Sequence, residues 1–210
     1  MCAVLRVHAR RRPEVVIVPP ARVPGSATSE SLQFAEAYAA EDIVLQTARG
    51  LAAELGLASV SPAAGSVLRL LAAAGSAKAV VEIGTGTGVS GVWLLRGMRA
   101  DGVLTTIDVE NEHQRIARRI FLEAGFASSR TRIITGRALD VLPRLADGVY
   151  DLVFVDADAT EFGACAEAAL RLLRPGGVLA VNGAMAGGEV TGRAFQPSVT
   201  AQPPVVLGLE

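Results

Sequence analysis

AVVEIGTGTGVSG, residues 79–91, begins as a short apolar run and ends in alternating glycines. Ala79, Val80, Val81 and Ile83 read as a buried parallel strand carrying Glu82 near its end. Gly84, Gly86 and Gly88 follow before a helical pattern starts at Ser90. A backbone without Cβ can turn sharply at positive φ and let a ligand lie against the peptide plane. The free N–H groups of the next helix then point at the ligand's negative end. The stretch therefore reads as a loop that holds a nucleotide-like cofactor.

Two cofactor classes compete for it. GTGVSG, residues 86–91, fits the dinucleotide fingerprint G-x-G-x-x-G, with Asp108 at about the distance of the acid that holds a ribose hydroxyl pair. The whole string from Glu82 is better described as E-x-G-x-G-x-G, the form typical of S-adenosylmethionine binding. A carboxylate at the strand end repels a pyrophosphate and favours an ammonium and a sulfonium, so the sign of Glu82 tips the choice toward S-adenosylmethionine.

Composition narrows the class. The chain has 210 residues, half of them hydrophobic, which suits one α/β domain with a substantial core. A net charge of −1 gives no broad basic field, which argues against duplex nucleic acid as a partner. Cys2 and Cys165 make neither a disulfide framework nor a metal knuckle, so a reducing cytoplasm is the expected location. No apolar run approaches the roughly 18 residues of a membrane helix. Residues 1–24, with the cluster Arg10, Arg11 and Arg12 and a VVIV run stopped by Pro19 and Pro20, read as a disordered extension preceding a domain over 25–190.

From Ser31 apolar residues recur at helical spacing as far as Leu55, with Gly56 as the stop, and Ser61-Pro62 opens a further helix ending before Gly75. A strict alternation follows: strands at 79–83, 103–107, 132–135, 150–155 and 178–181, with helices at 90–98, 110–124, 138–145 and 160–173 between them. Such alternation predicts a doubly wound, mostly parallel sheet, in which ligands bind beyond the carboxyl ends of the strands. Those ends carry Glu82, Asp108, Gly136 with Ala138, Asp156 and Asn182. Asp108 is expected to accept from both ribose hydroxyls, the alternative being a cap for the helix that follows. Ser90 can cap its helix or bond a ligand carboxylate. His113 reads as a solvated surface residue and Trp93 as core.

Six segments in order, SPAAGSVLRLLA (61–72), AVVEIGTGTGVSGVWLL (79–95), GVLTTIDVE (102–110), GRALDVLPRL (136–145), YDLVFVDAD (150–158) and LLRPGGVLAVN (172–182), resemble the catechol and caffeoyl-CoA O-methyltransferase family, more closely its actinobacterial members. The resemblance implies a class I S-adenosylmethionine-dependent methyltransferase fold (Rossmann-like) that methylates a hydroxyl of a small, aromatic acceptor, and a homodimer. It places Val60 and Ser61 over the cofactor, with Glu82, Gly84, Thr85, Gly86 and Ser90 around its methionyl end. It sets Asp108 on the ribose, Arg137 and Ala138 near the adenine, and Asp156 beside the methyl group as the catalytic residue.

The chain departs from that family in two places. Metal-dependent members hold a divalent cation with an Asp after the fourth strand and an Asp-Asn pair after the fifth, and use a Lys three residues beyond the first Asp. Here Asp156 is present, but the pair becomes Asn182-Gly183 and the lysine position is Ala159. One carboxylate and one amide suit a hard cation poorly, so no metal ligand is assigned and magnesium binding is expected to be weak or absent. The family also closes its sheet with two further strands. Residues 191–210 are rich in Gly, Pro, Ser and Thr, with one strand-like piece at 205–209, and read as a divergent, poorly structured tail that leaves the C-terminal strands incomplete and an edge open. The missing features keep a second reading in view, a cofactor-binding protein with reduced or lost catalysis; a nicotinamide-dependent oxidoreductase rests on GTGVSG alone.

Overall fold

The structure, a computed structural model, describes residues 29–157, 161–182 and 205–208. The N-terminal extension, Asp158, Ala159 and Gly183 lie outside the described residues. The periodicity read as one helical stretch over 31–55 folds as two helices, α1 (Ser29–Tyr38) and α2 (Ile43–Glu54). The break is an N-cap that apolar spacing does not reveal: Asp42 is extended, and its Oδ1 accepts from the Leu45 N–H at 3.1 Å. A third helix, α3 (Pro62–Ala74), is capped by the Ser61 hydroxyl, which accepts from the Ala64 N–H, with Pro62 in its first turn as predicted.

The alternation then runs β1 (Ala79–Ile83), α4 (Val89–Gly97), β2 (Val103–Asp108), α5 (Asn111–Glu123), β3 (Thr131–Thr135), α6 (Ala138–Val141), β4 (Tyr150–Val155), α7 (Phe162–Leu172) and β5 (Leu173–Val181). Most boundaries fall within two residues of the sequence reading. β5 begins five residues earlier than predicted, because Leu173 pairs with Tyr150 before an irregularity in register lets Val178 pair with Leu152. Pro175 and the Gly176-Gly177 turn residues hid that first pairing from a propensity argument.

The strands lie in the order β3-β2-β1-β4-β5-β6 and every pairing is parallel. The last, β6 (Val205–Gly208), falls on the strand-like piece read at 205–209 and corrects the expectation of an open edge at β5. It pairs with β5 from Val178↔Val205 to Val181↔Gly208. Its β-branched pair Val205-Val206 gives four residues enough strand preference to add to an existing edge. Among the described residues no antiparallel strand follows it.

Helices cover both faces of this sheet, and each face has its own core. On one side Leu68, Val92, Trp93, Leu94, Ile120 and Phe121 from α3, α4 and α5 pack with Leu45 and Ala48 of α2. On the other, Val141, Leu142, Cys165, Ala169 and Leu172 pack against Val81, Val153 and Val155. Burying side chains of this size contributes about 1.5–3 kcal/mol each. Trp93 is core, as read from the sequence, and its indole N–H donates to Glu41 at 3.3 Å. Chain order reverses between β1 and β4, so the helices diverge there and open a crevice beyond the strand ends.

Candidate active site

A cavity of about 330 Å³ occupies that crevice, within the size range of sites for small organic ligands. Its floor is the carboxyl end of three adjacent strands: Ile83 at the end of β1 with Gly84 beyond it, Ile107 and Asp108 at β2, and Asp156 with Ala157 after β4. The glycine loop forms one wall. Gly84, Gly86 and Gly88 all have positive φ, at 94°, 49° and 92°, so the loop takes a path closed to most other residues. Its tightest point is Gly84, where a Cβ would lie 2.3 Å from the Asp156 carbonyl oxygen. Gly86 is the opposite case, since a Cβ there would meet no protein atom within 4 Å. Such an open cradle beside a bare peptide fits a flat cofactor.

Asp108 organises the loop as well as facing the cavity. Its Oδ2 accepts the Gly86 N–H at 2.9 Å and its Oδ1 accepts the Glu110 N–H at 2.9 Å. Glu110, not Asp108, is the N-cap position of α5, so the capping alternative holds only in that Asp108 receives the Glu110 amide. Each carboxylate oxygen keeps further lone-pair capacity, which leaves the pair of acceptors that a ribose diol requires.

Glu82 corrects the simplest form of the electrostatic reading. It is fully buried and not among the residues lining the cavity; it lies below the floor, with Oε1 accepting from Ser90 Oγ and Oε2 from Thr106 Oγ1, both at 2.6 Å. Burial pushes its carboxyl up to about 7, against the pull of the two hydroxyls, and the negative charges of Asp156 and Asp108 add to the rise. Thr85 and Ser90 do line the cavity. Arg137 is likewise displaced from its expected place: it stands outside the cavity in an ion pair with Glu161, while its neighbours Gly136 and Ala138 line it. Ser61 is the α3 cap, and Val60 beside it is a cavity wall.

Asp156 is largely enclosed, and burial raises its carboxyl above the ordinary value. Its Oδ1 accepts from the Asn182 amide at 3.0 Å, an interaction that partly offsets that rise. The two residues that sequence spacing matched to a cation site thus meet, but with an N–H donor directed at the carboxylate. Among the described residues no cluster of three or more His, Cys, Asp or Glu could hold a metal ion.

Several walls were not legible beforehand. His113, read as a solvated surface residue, lines the cavity with its Nδ1 3.4 Å from Asp108 Oδ1. The first turn of α5 points back at the strand end, so a residue five positions after Asp108 returns to the site. Ala52, Leu57, Ala58 and Ser59 close the cavity from the N-terminal side. The Thr87 hydroxyl fixes that closure by donating to the Ala48 carbonyl of α2 at 2.8 Å. Nothing in the spacing of residues 52–59 marks them as functional; their placement depends on how α2 packs over the glycine loop.

Comparison with known proteins gives the geometry its context. Residues 30–203 match the family model described as O-methyltransferase. A Mycobacterium tuberculosis protein named as an O-methyltransferase is 54% identical over 167 residues, covering 79% of this chain and 75% of its own. The O-methyltransferase TomG from Streptomyces achromogenes, involved in tomaymycin synthesis and solved in complex with S-adenosylmethionine, superposes with a TM-score of 0.71 at 35% identity, over 81% of this chain and 78% of its own. A Bacillus cereus O-methyltransferase in complex with S-adenosylhomocysteine gives a TM-score of 0.65 at 32% identity, over 73% and 71%.

Proposed function

Because the chain belongs to the O-methyltransferase family and S-adenosylmethionine is its methyl donor, we propose that it methylates a hydroxyl of a small, aromatic acceptor brought beside Asp156. The observation that carries this reading is the single crevice in which the glycine loop, Asp108 and Asp156 meet at the ends of three neighbouring strands. The cofactor, when bound, supplies a methyl group made electrophilic by its sulfonium. Asp108 is the ribose acceptor, the Gly84–Thr87 loop and Ser90 lie along the methionyl portion, and Gly136 and Ala138 flank the base. Asp156 receives the acceptor's hydroxyl proton as its oxygen attacks the methyl carbon. The C–S bond breaks and the thioether leaves uncharged, so alignment and deprotonation are the protein's main tasks.

The donor set around Asp156 does not suit a divalent cation. Asn182 offers the carboxylate an N–H, and a single carboxylate leaves a hard cation short of anionic oxygens. Methyl transfer is therefore expected to persist within about twofold after exhaustive chelation, against the 10–100-fold losses that disturbing a metal site brings. A radiolabelled methyl-transfer assay over a panel of phenols and catechols, with chelator or with added magnesium, tests both acceptor class and metal independence. Activity appearing only with magnesium would reject the second. Normal cofactor affinity without turnover on any hydroxyl acceptor would favour the reading of a binding protein that has lost catalysis.

Asp108→Asn provides a separate check on the cofactor's seat. The amide keeps the shape but puts a donor where the Gly86 or Glu110 N–H, or a ribose hydroxyl, needs an acceptor. Losing a charged hydrogen-bond partner contributes about 1.5–3 kcal/mol, so calorimetry should record a roughly 10- to 100-fold weaker Kd for S-adenosylhomocysteine. An unchanged Kd would remove Asp108 from the ribose role.

The proposal extends to a homodimer in the cytoplasm. Phe34, Tyr38 and Ile43 present large apolar side chains to solvent along α1 and the start of α2, a surface suited to a second copy. Among the described residues no helix is long and apolar enough to cross a membrane.

A further inference from the structure

The two sides of the cavity differ in polarity. Where α5 closes it, the lining residues include Asp108, Glu110 and His113. Where α6 and α7 close it, Ile83, Ile107, Ala138 and Ala157 form an aliphatic wall continuous with the core beneath those helices. Gly136 adds backbone alone. Among the described residues, the one polar side chain on this side is Glu161, a residue that no motif in the sequence marks. An aliphatic wall accepts the face of a flat ring, and a lone carboxylate at its margin accepts a donor on the ring's edge.

Glu161 immediately precedes α7 as its N-cap residue, yet its side chain makes no capping hydrogen bond. The carboxylate is therefore not consumed by the helix's own amides, while the positive end of α7 favours its ionised form. Its Oε1 accepts from Arg137 Nη2 at 2.5 Å. Arg137 is the residue between Gly136 and Ala138, so this ion pair ties the start of α7 to the two positions that flank the base. The Glu161 side chain is 33% exposed and that of Arg137 65%, and only Glu161 lines the cavity. The guanidinium thus takes the solvent side of the pair and the carboxylate the cavity side. An exposed ion pair adds little to stability, but it restrains a long side chain that would otherwise lose rotamer freedom when a ligand binds. A carboxylate has about four lone-pair sites, so Glu161 keeps acceptor capacity after Arg137 is satisfied.

We propose that Glu161, restrained by Arg137, is a specificity-determining residue for the cofactor's base, its carboxylate accepting from the exocyclic amino group of adenine. The inference rests on S-adenosylmethionine being the occupant, with its base against Gly136 and Ala138. The methyl groups of Ala138 and Ala157 and the aliphatic chains of Ile83 and Ile107 can bury the ring, but they cannot distinguish one purine from another. Only a polar group at the edge can do that, and a charged acceptor matches an amino group, which carries donors at its rim. Asp108 has a separate task, since it is bound to the loop that holds the sugar.

The decisive experiment is a calorimetric comparison, at neutral pH, of S-adenosylhomocysteine with its analogue bearing hydrogen in place of the base's amino group. The native protein should prefer the amino compound by roughly 10- to 100-fold, the worth of a hydrogen bond to a charged group. Glu161→Ala should bring the two affinities within about twofold of each other. Glu161→Gln retains a neutral acceptor of about half the strength, and should restore a preference of roughly 3- to 10-fold. Arg137→Ala leaves the acceptor but frees it, and should reduce the preference by no more than about fivefold. Asp108→Asn, which acts on the sugar, should weaken both compounds alike and leave their ratio unchanged. A purely structural role for Glu161 would likewise move both affinities together. Equal binding of the two compounds by the native protein, or a preference that survives Glu161→Ala, would overturn the inference and leave the cofactor assignment standing. Failure of the native protein to bind S-adenosylhomocysteine would overturn that assignment, and the inference with it.

Discussion

Asp156→Asn is expected to lower kcat by roughly 10²- to 10⁴-fold, the usual worth of a positioned general base, while changing cofactor affinity by no more than about threefold. The amide keeps the volume of the side chain and can still accept from Asn182 Nδ2, so the loss isolates the carboxylate's basicity from its packing. Selectivity for kcat follows from its place in the fold. Asp156 is held by its own N–H donating to the Ile83 carbonyl at 2.8 Å, and that backbone bond is indifferent to the side chain. The pH profile adds a second readout. Burial raises the carboxyl above its ordinary 3.8, and the group must be deprotonated to take the acceptor's proton. Activity should therefore fall on the acid side, through a limb lying above the usual aspartate range. Asn182→Ala removes the hydrogen bond that opposes this rise, and should move the limb to higher pH. A variant retaining native kcat, or an acid limb unmoved by the loss of Asn182, would show that deprotonation occurs elsewhere.

The sequence was most informative where backbone chemistry leaves few choices. Val80, Val81 and Ile83 could scarcely be anything but a buried strand, and three alternating glycines could scarcely be packed helix or strand, so the position of the crevice is legible in the sequence. Asp108 and Asp156 were found by the same logic, since an acid at the exit of a parallel strand has no solvating purpose there. What could not be read depended on return paths through space. His113 is five residues from Asp108 along the chain, yet only the winding of α5 brings its ring to within 3.4 Å of that carboxylate. Ala52, Leu57 and Ser59 became walls because Thr87 anchors the loop to Ala48, a contact between positions 39 residues apart. Glu82 is the instructive intermediate case. The sequence placed its carboxylate beside the cofactor, whereas the structure buries it below the cavity floor, where it accepts from the Ser90 and Thr106 hydroxyls.

Gly84→Ala should be a severely damaging single methyl, and Gly86→Ala, two residues away, a far milder one. Gly84 has φ of 94°, a conformation that costs a residue with Cβ about 1–3 kcal/mol. Its Cβ would also sit 2.3 Å from the backbone oxygen of Asp156, a neighbour that cannot rotate aside. Relief would require β1 and β4 to part just where the Asp156 N–H holds the Ile83 carbonyl, and on the other side the Gly84 N–H is tied to the Ile107 carbonyl at 2.9 Å. Overpacking of this kind adds about 1–3 kcal/mol, for a combined loss of roughly 2–6 kcal/mol out of the 5–15 typical of a domain. At roughly 2–4 °C per kcal/mol for a chain of this size, the melting temperature should fall by about 5–20 °C, and Asp156 should be displaced with it. At Gly86 the φ of 49° lies in the left-handed region that other residues enter at modest cost, and a Cβ there meets no protein atom within 4 Å. That variant should melt within a few degrees of the native protein while binding S-adenosylhomocysteine more weakly, because its methyl occupies the cradle. Thermal denaturation and calorimetry on the pair separate the two functions of the loop. If Gly84→Ala were as stable as Gly86→Ala, the close approach of β1 to the Asp156 backbone could not be what holds the Asp156 carboxylate in place.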